Sequence, residues 1–262
     1  SPTAGGYTPS DFSLVKLDRA SLGSLIGSDY RRIEDIYPLS PIQQGLLFHT
    51  LYATESQMYF EQWSCSLHGN LNLATLQEAW RQVIHRHSIL RTAFNWQNLD
   101  EPVQVVLRQV ELPWQQYDWR GLSSSEQTQQ LEKFKISDRQ AGFNLSVAPV
   151  MRLTLIQVTD DSHYFIWSHH HILMDGWAAA LLLKEVFEIY QATSRGEKLN
   201  LQPARTYRNY IAWLQKQDMR PAEVFWRRML QGFTAPTAVL PKYQTSNPDG
   251  SYKLQKIRLS TN

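Results

Sequence analysis

Two neighbouring apolar runs, joined by a short polar turn, constrain the fold more than any other part of this sequence. Residues 150–158 and 163–170 are rich in β-branched and aromatic side chains, and a Thr-Asp-Asp-Ser turn at 159–162 separates them. This pattern predicts a β-hairpin made of central strands. From Trp177 the apolar residues instead recur with the period of a helix, which ends at Gly196. The sequence therefore predicts a hairpin that leads directly into a helix.

Further helices and strands alternate along the rest of the chain. Helix starts are predicted at three places with capping side chains, namely Ser40 with Gln43, Asn72, and Ser123 with Glu126. Short strands are predicted at residues 57–68, 89–96 and 103–107. Helices interleaved with hairpins favour an α/β fold, and we expect a two-layer sandwich with a mixed sheet.

The composition excludes several classes of protein. Hydrophobic residues make up 42% of the chain, which is enough for a packed interior. The net charge of +2 is too small for a surface that binds nucleic acid or an anionic membrane. The longest apolar stretch, residues 177–183, is far shorter than the roughly 20 residues that span a bilayer. The one cysteine, Cys65, excludes an internal disulfide and fits a reducing compartment, so we expect a cytoplasmic protein with Cys65 in its core.

The segment best suited to chemistry is SHHHILMDGW at residues 168–177. Alternation along the strand places His169 and His171 on one face and His170 on the other. An imidazole at a strand end, with an ordinary pKa of about 6.5, can exchange a proton near neutral pH. Asp175 begins the helix, where exposed amides stabilise its anion, so it suits bonding to an arginine or an amide better than acid catalysis. Gly176 allows a substrate to approach the backbone closely.

Two other interpretations of the histidines remain. Because neighbours on a strand point to opposite faces, three consecutive histidines do not converge on one ion, and we predict no metal site. A buried histidine cluster without chemistry is the plainer alternative. The Asp-Gly pair at fixed spacing from the strand end argues against it.

Four segments, in order, resemble the core motifs of condensation domains of nonribosomal peptide synthetases. HHILMDG at 170–176 resembles the family's HHxxxDG signature, and the others are YPLSPIQQGLLFH at 37–49, RHSILRTAF at 86–94 and YRNYIAW at 207–213. The resemblance implies a chloramphenicol-acetyltransferase-like lobe, one of two that enclose an active-site tunnel in a complete domain. It implies a linker from an upstream carrier or epimerase region at 1–32 and the N-terminal lobe at 33–240. Residues 241–262 would form the crossover and the start of the C-terminal lobe, with a strand at 251–259.

The same resemblance implies roles for individual residues. His171 is the central histidine, near the amine of the acceptor, and His170 supports its setting. Asp175 is structural, and family precedent gives it an ion pair with an arginine of the second motif. We choose Arg91 over Arg86 for this pair, because Leu-Arg-Thr is the part of residues 86–94 that matches the family's second motif most closely.

Two more residues and the chemistry also follow from the resemblance. Gly176 lines the channel, and Trp213 is a packing residue of the fourth motif. The implied reaction is amide formation between a donor acyl or peptidyl thioester and an acceptor aminoacyl thioester. No metal, nucleotide or other directly bound cofactor is implied, because phosphopantetheine arms deliver the substrates. The implied partners are the upstream donor and downstream acceptor peptidyl carrier domains, the C-terminal lobe and an adjacent adenylation domain.

Details of the motifs bear on the subtype and leave alternatives open. The forms of the first and third motifs resemble those of domains that accept a D-configured donor residue. The intact histidine pair argues against a heterocyclisation domain. One alternative is a lobe that docks carrier domains without catalysis. Another is an acyltransferase of the His-x-x-x-Asp-Gly group that uses coenzyme A thioesters, which the doubled histidine and the lead-in at residues 8–12 disfavour.

Overall fold

A computed structural model describes residues 6–27, 30–52, 57–197 and 199–235 of the chain. The chain divides after Lys216 into two compact units. The crossover and C-terminal-lobe strand expected within residues 241–262 lie outside the described residues.

The first unit combines helices and strands. In chain order its helices are α1 (Arg19–Ile26), α2 (Pro41–Tyr52), α3 (Leu73–Arg86), α4 (Ser124–Ala141), α5 (Gly176–Ser194) and α6 (Tyr207–Leu214). Its strands are β1 (Ile33–Pro38), β2 (Phe60–His68), β3 (Thr92–Asn95), β4 (Val103–Leu107), β5 (Trp114–Asp118), β6 (Met151–Thr159) and β7 (Ser162–His170). Short 3-10 helices occur at Pro9–Asp11, Tyr30–Arg32 and Ser88–Arg91. The described part of the second unit contains α7 (Arg220–Met229).

The described strands form two sheets. One has the order β2-β7-β6-β5, and the other has the order β1-β4-β3. Strands β6 and β7 form the predicted antiparallel hairpin, while β5 runs parallel to β6. The first sheet is therefore mixed, which confirms the predicted α/β class with a mixed sheet.

Helices cover both faces of the mixed sheet. The main core contains Trp80 of α3, Val186 of α5 and Trp167 of β7, and the two indole rings meet edge to face with centroids 5.2 Å apart. On the opposite face Leu131 of α4 packs against Ile166. A second link on that face comes from side chains that share one carboxylate: Asp138 of α4 accepts hydrogen bonds from Gln62, Arg152 and Ser168. Both faces of β7 are thus fixed, and the position of its last residue is set by the whole sheet.

The segment predicted as a linker, residues 1–32, contains packed residues in the part that the structure describes. Phe12, Val15 and Leu22 are buried against Ile36 of β1 and Val105 of β4. Burial of these apolar side chains stabilises the packed conformation of the segment. Its connection to an upstream region stays a prediction.

Cys65 does not lie in the core, and that prediction is wrong. The side chain is exposed, and Trp63 on the same strand is 40% exposed. Strand β2 forms the outer edge of its sheet, so one of its long sides has no neighbouring strand among the described residues. The alternating pattern identified the strand but could not show that it is an edge strand.

Candidate active site

The predicted strand-to-helix junction is present at residues 170–176. Strand β7 ends at His170, and helix α5 begins at Gly176. Asp175 caps this helix, because its Oδ1 accepts a hydrogen bond of 2.8 Å from the backbone N–H of Ala178. The junction turns the chain sharply and leaves His171 directly beyond the strand end.

His170 is buried and held in one orientation. Its Nδ1 accepts the backbone N–H of Ile172 at 3.1 Å, so the ring proton is on Nε2. Nε2 lies 3.1 Å from Oγ1 of Thr50, whose hydroxyl donates to the carbonyl of Leu46. Burial, with a smaller contribution from His171, lowers the pKa of His170 to about 4. The ring is therefore neutral near pH 7 and serves as a structural bridge between the junction and α2.

His169 is also buried and neutral. It is 1% exposed, and its ring packs on Trp167 with centroids 4.8 Å apart. Burial lowers its pKa to about 3, with smaller contributions from His171 and His170. This histidine belongs to the core and has no access to a substrate.

His171 is the histidine of the three that reaches the surface. Its side chain is 35% exposed, and its backbone N–H donates to the carbonyl of Tyr59 at 2.8 Å. Nδ1 is buried without a hydrogen-bond partner among the described residues, and Oε1 of Glu61 lies 3.8 Å away. A partly exposed imidazole on a fixed backbone can accept a proton from a molecule that approaches its open side.

Gln43 is a site residue that the sequence identified only as part of a capping box. Its amide nitrogen donates to the carbonyl of Ile172 and to Oε1 of Gln104, both at 3.1 Å. Its Oε1 accepts the backbone N–H of Ser40 at 3.0 Å, as the capping box predicts. Gln43 is 3% exposed, so it ties α2 to the residue after His171 in a dry environment. No spacing in the sequence indicates a contact across 129 positions.

The predicted ion pair between Arg91 and Asp175 is wrong. Arg91 is 5% exposed, and its guanidinium binds Oε2 of Glu34 at 2.7 Å. It also donates to the carbonyls of Ile84 and His85, each at 3.1 Å, which are otherwise open acceptors at the end of α3. Arg91 thus secures the end of a helix, and Asp175 is occupied by its capping bond.

Arg86, the other arginine of that motif, also has partners elsewhere. It forms an ion pair with Glu185 of α5 and donates to the carbonyl of Gln202. Glu185 also contacts Nε2 of His87 at 2.7 Å. The second motif therefore connects α3 to α5 rather than to Asp175.

Gly176 and Trp213 occupy different surroundings. A Cβ atom built on Gly176 would meet no atom within 4 Å, so the start of α5 faces open space. Trp213 is 55% exposed and stacks on Tyr210, so it packs at the surface rather than in the interior. Together with His87 and Arg205 it lines a separate cavity of about 650 Å³.

Two classes of site were also searched for in the described ranges. Across these ranges no three or more His, Cys, Asp or Glu side chains are grouped so that they could bind a metal ion. None of the helices placed there has the length and apolar character that crossing a bilayer requires.

Comparison with known proteins gives a consistent result. The family model for the condensation domain matches residues 33–262. A linear gramicidin synthase protein of Brevibacillus parabrevis is 42% identical over 260 residues, which are 99% of this chain and 5% of that protein. A plipastatin synthase protein of Bacillus subtilis (strain 168) is 41% identical over 225 residues, which are 86% of this chain and 9% of that protein. This chain therefore spans less than a tenth of either relative.

A solved structure shares the fold. The crystal structure of the starter condensation domain of rhizomide synthetase RzmA superimposes with a TM-score of 0.66 at 21% identity. The match covers 75% of this chain and 50% of that one. The lobe expected from the four motifs is confirmed at the level of fold.

Proposed function

This chain belongs to the condensation-domain family, and we propose that it takes part in forming an amide bond between two carrier-bound thioesters. The donor acyl or peptidyl group arrives on one phosphopantetheine arm, and the acceptor aminoacyl group arrives on another. Relatives that are 37–42% identical include synthases of gramicidin, plipastatin and bacitracin, and this supports a role in nonribosomal peptide synthesis.

The reaction needs a proton acceptor of moderate strength. The α-amine of the acceptor attacks the donor carbonyl, so a C–N bond forms, the C–S bond breaks and the donor carrier's thiol leaves. An α-amine has a pKa of about 7.7–8.0, so part of it is neutral at physiological pH without a strong base. As the C–N bond forms, Nε2 of His171 takes the proton that the amine loses and then gives it to the departing sulfur. General-base catalysis of this kind contributes about 10²–10⁴-fold, and holding both arms in place contributes further.

The proposal rests on one observation, the placement of His171. Its ring is partly open to solvent, while its backbone is bonded to Tyr59 and the next residue is held by His170 and Gln43. A fixed backbone anchors the base of this side chain beside the strand end, and the neutral buried histidines beside it do not compete for the proton.

Replacing His171 tests the proposal. In the full-length domain with both carrier domains loaded, we expect His171→Ala to lower the rate of dipeptidyl-carrier formation by at least about 100-fold. His68→Ala is the matched control. His68 is exposed and pairs with Ser162 at the far end of β2, about 27 Å along the strand from Phe60, and its loss should leave the rate unchanged.

The possible outcomes separate the candidate functions. A normal rate in His171→Ala would remove this residue from the chemistry and would favour a lobe that only docks carriers. Equal rates with carrier-bound and coenzyme A-bound donors would favour the coenzyme A-dependent acyltransferase. A mutant of the rhizomide starter domain has been crystallised with C8-CoA and Leu-SNAC, so C8-CoA is a practical probe.

The remaining details are proposals of the same kind. The motif forms support a D-configured donor residue, which a comparison of D- and L-configured donors on the carrier tests. The upstream and downstream carrier domains, a C-terminal lobe and an adenylation domain are the proposed partners. The proposed location is the cytoplasm.

A further inference from the structure

We propose that Glu61 is a positioning residue for His171: its carboxylate accepts the hydrogen of Nδ1, so that Nε2 faces the acceptor amine with a free electron pair. The carboxylate also stabilises the imidazolium that exists between taking up the amine proton and releasing it to the sulfur. This inference rests on the proposed role of His171, and it assigns a function to a strand residue outside the four motifs.

The register of the sheet brings the two residues together. Strands β2 and β7 are antiparallel, with Phe60 opposite His170 and Glu61 opposite His169. The bond from the N–H of His171 to the carbonyl of Tyr59 continues this register by one residue. Side chains alternate along a strand, so Glu61 and His171 lie on the same face as diagonal neighbours, within reach of a long side chain.

The side chains meet at a distance that a small rotation closes. Oε1 of Glu61 is 3.8 Å from Nδ1 of His171, and charge-assisted hydrogen bonds are about 2.7–2.9 Å long. Nδ1 is buried and has no other partner among the described residues, which is costly for a polar atom. A substrate covering the exposed part of this pair would exclude water and strengthen the interaction.

The other titratable and charged groups that the structure describes on the neighbouring elements are neutral or make contacts of their own; Arg139 of α4, for example, donates to the carbonyl of Phe60. On β7, His169 and His170 are neutral near pH 7. On α2, His49 packs against the ring of Tyr59, which in turn packs against His170. Asp175 at the start of α5 is turned towards the N–H of Ala178. Over the described ranges, Glu61 is the carboxylate that lies within 4 Å of a ring nitrogen of His171.

The proton balance follows from this geometry. Nδ1 keeps its hydrogen throughout, bonded to Glu61. Nε2 gains the proton of the amine and returns it to the sulfur when the C–S bond breaks. Glu61 stays ionised, in the same way as the buried carboxylate of a Ser-His-Asp triad.

Two variants separate orientation from charge. Glu61→Gln keeps an acceptor oxygen for Nδ1–H but removes the charge, and Glu61→Ala removes both. In the full-length domain we expect Glu61→Gln to lower kcat by at least about fivefold, because losing one charge about 4 Å away has that effect in water and a larger one where water is excluded. The KM for the acceptor should change little.

Glu101→Gln is the matched control, because it removes the same charge from an exposed residue between β3 and β4. It should leave kcat unchanged. A readout without substrate is the ¹⁵N spectrum of the His171 ring. Wild type and Glu61→Gln should carry the proton of the neutral ring on Nδ1, and Glu61→Ala should show a mixture of both tautomers.

The results distinguish this inference from the proposed function. An unchanged tautomer in Glu61→Ala, or a wild-type kcat in Glu61→Gln, would overturn the role of Glu61. If His171→Ala retained full activity, the proposed function would fail, while the tautomer measurement would still decide whether Glu61 orients the ring.

Discussion

His169 and His170 show what burial does to an imidazole beside a reactive one. These two residues are 1% and 6% exposed, and their pKa values fall to about 3 and about 4, respectively. Desolvation causes most of the change, because a charged ring loses its hydration in the protein interior. Of three consecutive histidines, therefore, two are buried and neutral, and His171 is the one that we propose exchanges protons.

These lowered pKa values predict an acid-sensitive fold. In the unfolded chain both histidines titrate near 6.5, so between about pH 6.5 and pH 4 the unfolded state binds more protons than the folded state. The free energy of unfolding should therefore be highest above pH 6.5 and fall as the pH decreases. The expected slope is about 1.4 kcal/mol per pH unit for each histidine, measured by urea denaturation at several pH values.

A substitution assigns this pH dependence. His169→Leu removes one titrating group and should roughly halve the slope below pH 6. His68→Leu, at an exposed position, should leave the slope unchanged. Equal unfolding free energies at pH 7 and pH 5 would show that these rings are not buried as described.

For individual residues, the sequence predicted contacts between near neighbours in the chain and missed contacts between residues that are far apart in the chain. The capping bond of Asp175 depends on residues three positions apart, so a motif can reveal it. Arg91 lies next to Glu34, and His171 lies next to Glu61. Both glutamates are far away in the sequence, so local spacing does not reveal these partners. Family precedent paired Asp175 with an arginine of the second motif, for which we chose Arg91, whereas the end of α3 provides carbonyls for its guanidinium.

Among the elements, helix α2 and the turn after β7 act as one assembly. Gln43 and Thr50 of α2 contact Ile172 and His170, respectively, on either side of His171. Because these contacts are buried or partly buried, losing one leaves a polar group without a partner. We therefore expect the position of the His171 ring to depend on α2 as well as on the sheet.

Gln43→Met tests this dependence, because it keeps the length of the side chain and removes its amide. The carbonyl of Ile172 and the amide oxygen of Gln104 would each lose a donor. We expect a loss of about 1–3 kcal/mol in the free energy of unfolding, measured by urea denaturation. Peptide-bond formation should also slow.

Gln44→Met is the control for Gln43→Met, because Gln44 is the exposed neighbour on the same helix. It should change neither the stability nor the rate. If the two variants proved equally stable and equally active, the link through Gln43 would have no role in holding the turn.

The elements themselves were predictable where their signals are local. The capping boxes at Ser40 and Ser123 both form, and the hairpin of β6 and β7 has the expected bounds within two residues. Strands β1 and β5 were not predicted. Both strands are short and contain acidic or amide residues, as in IEDIYP and WQQYD. In addition, β5 pairs along only one side among the described strands. These segments form strands because they pair with neighbouring strands, and their own sequences do not predict that pairing.

In the first unit as a whole, apolar surface flanks the candidate site. Helix α2 exposes Ile42 and Phe48, and the first turns of α5 expose Trp177 and Leu181. Where exposed apolar side chains form a continuous patch, the patch is typical of a face that meets another protein surface or a ligand. The chain spans about half the length of the rhizomide starter domain, and we expect the opposing lobe to cover this face. The family resemblance implies that the two lobes enclose an active-site tunnel. The periodicity of this sequence alone does not predict that tunnel.

The most direct measurement asks whether a tethered substrate reaches His171. A carrier domain would present a bromoacetyl group on its phosphopantetheine arm to the full-length domain, and mass spectrometry would locate the alkylated residue. We expect Nε2 of His171 to displace bromide, so that the label maps to this residue and is absent from His171→Ala. His68, exposed at the far end of β2, should remain unlabelled. An active domain in which the arm labels other residues and leaves His171 untouched would contradict the proposed site.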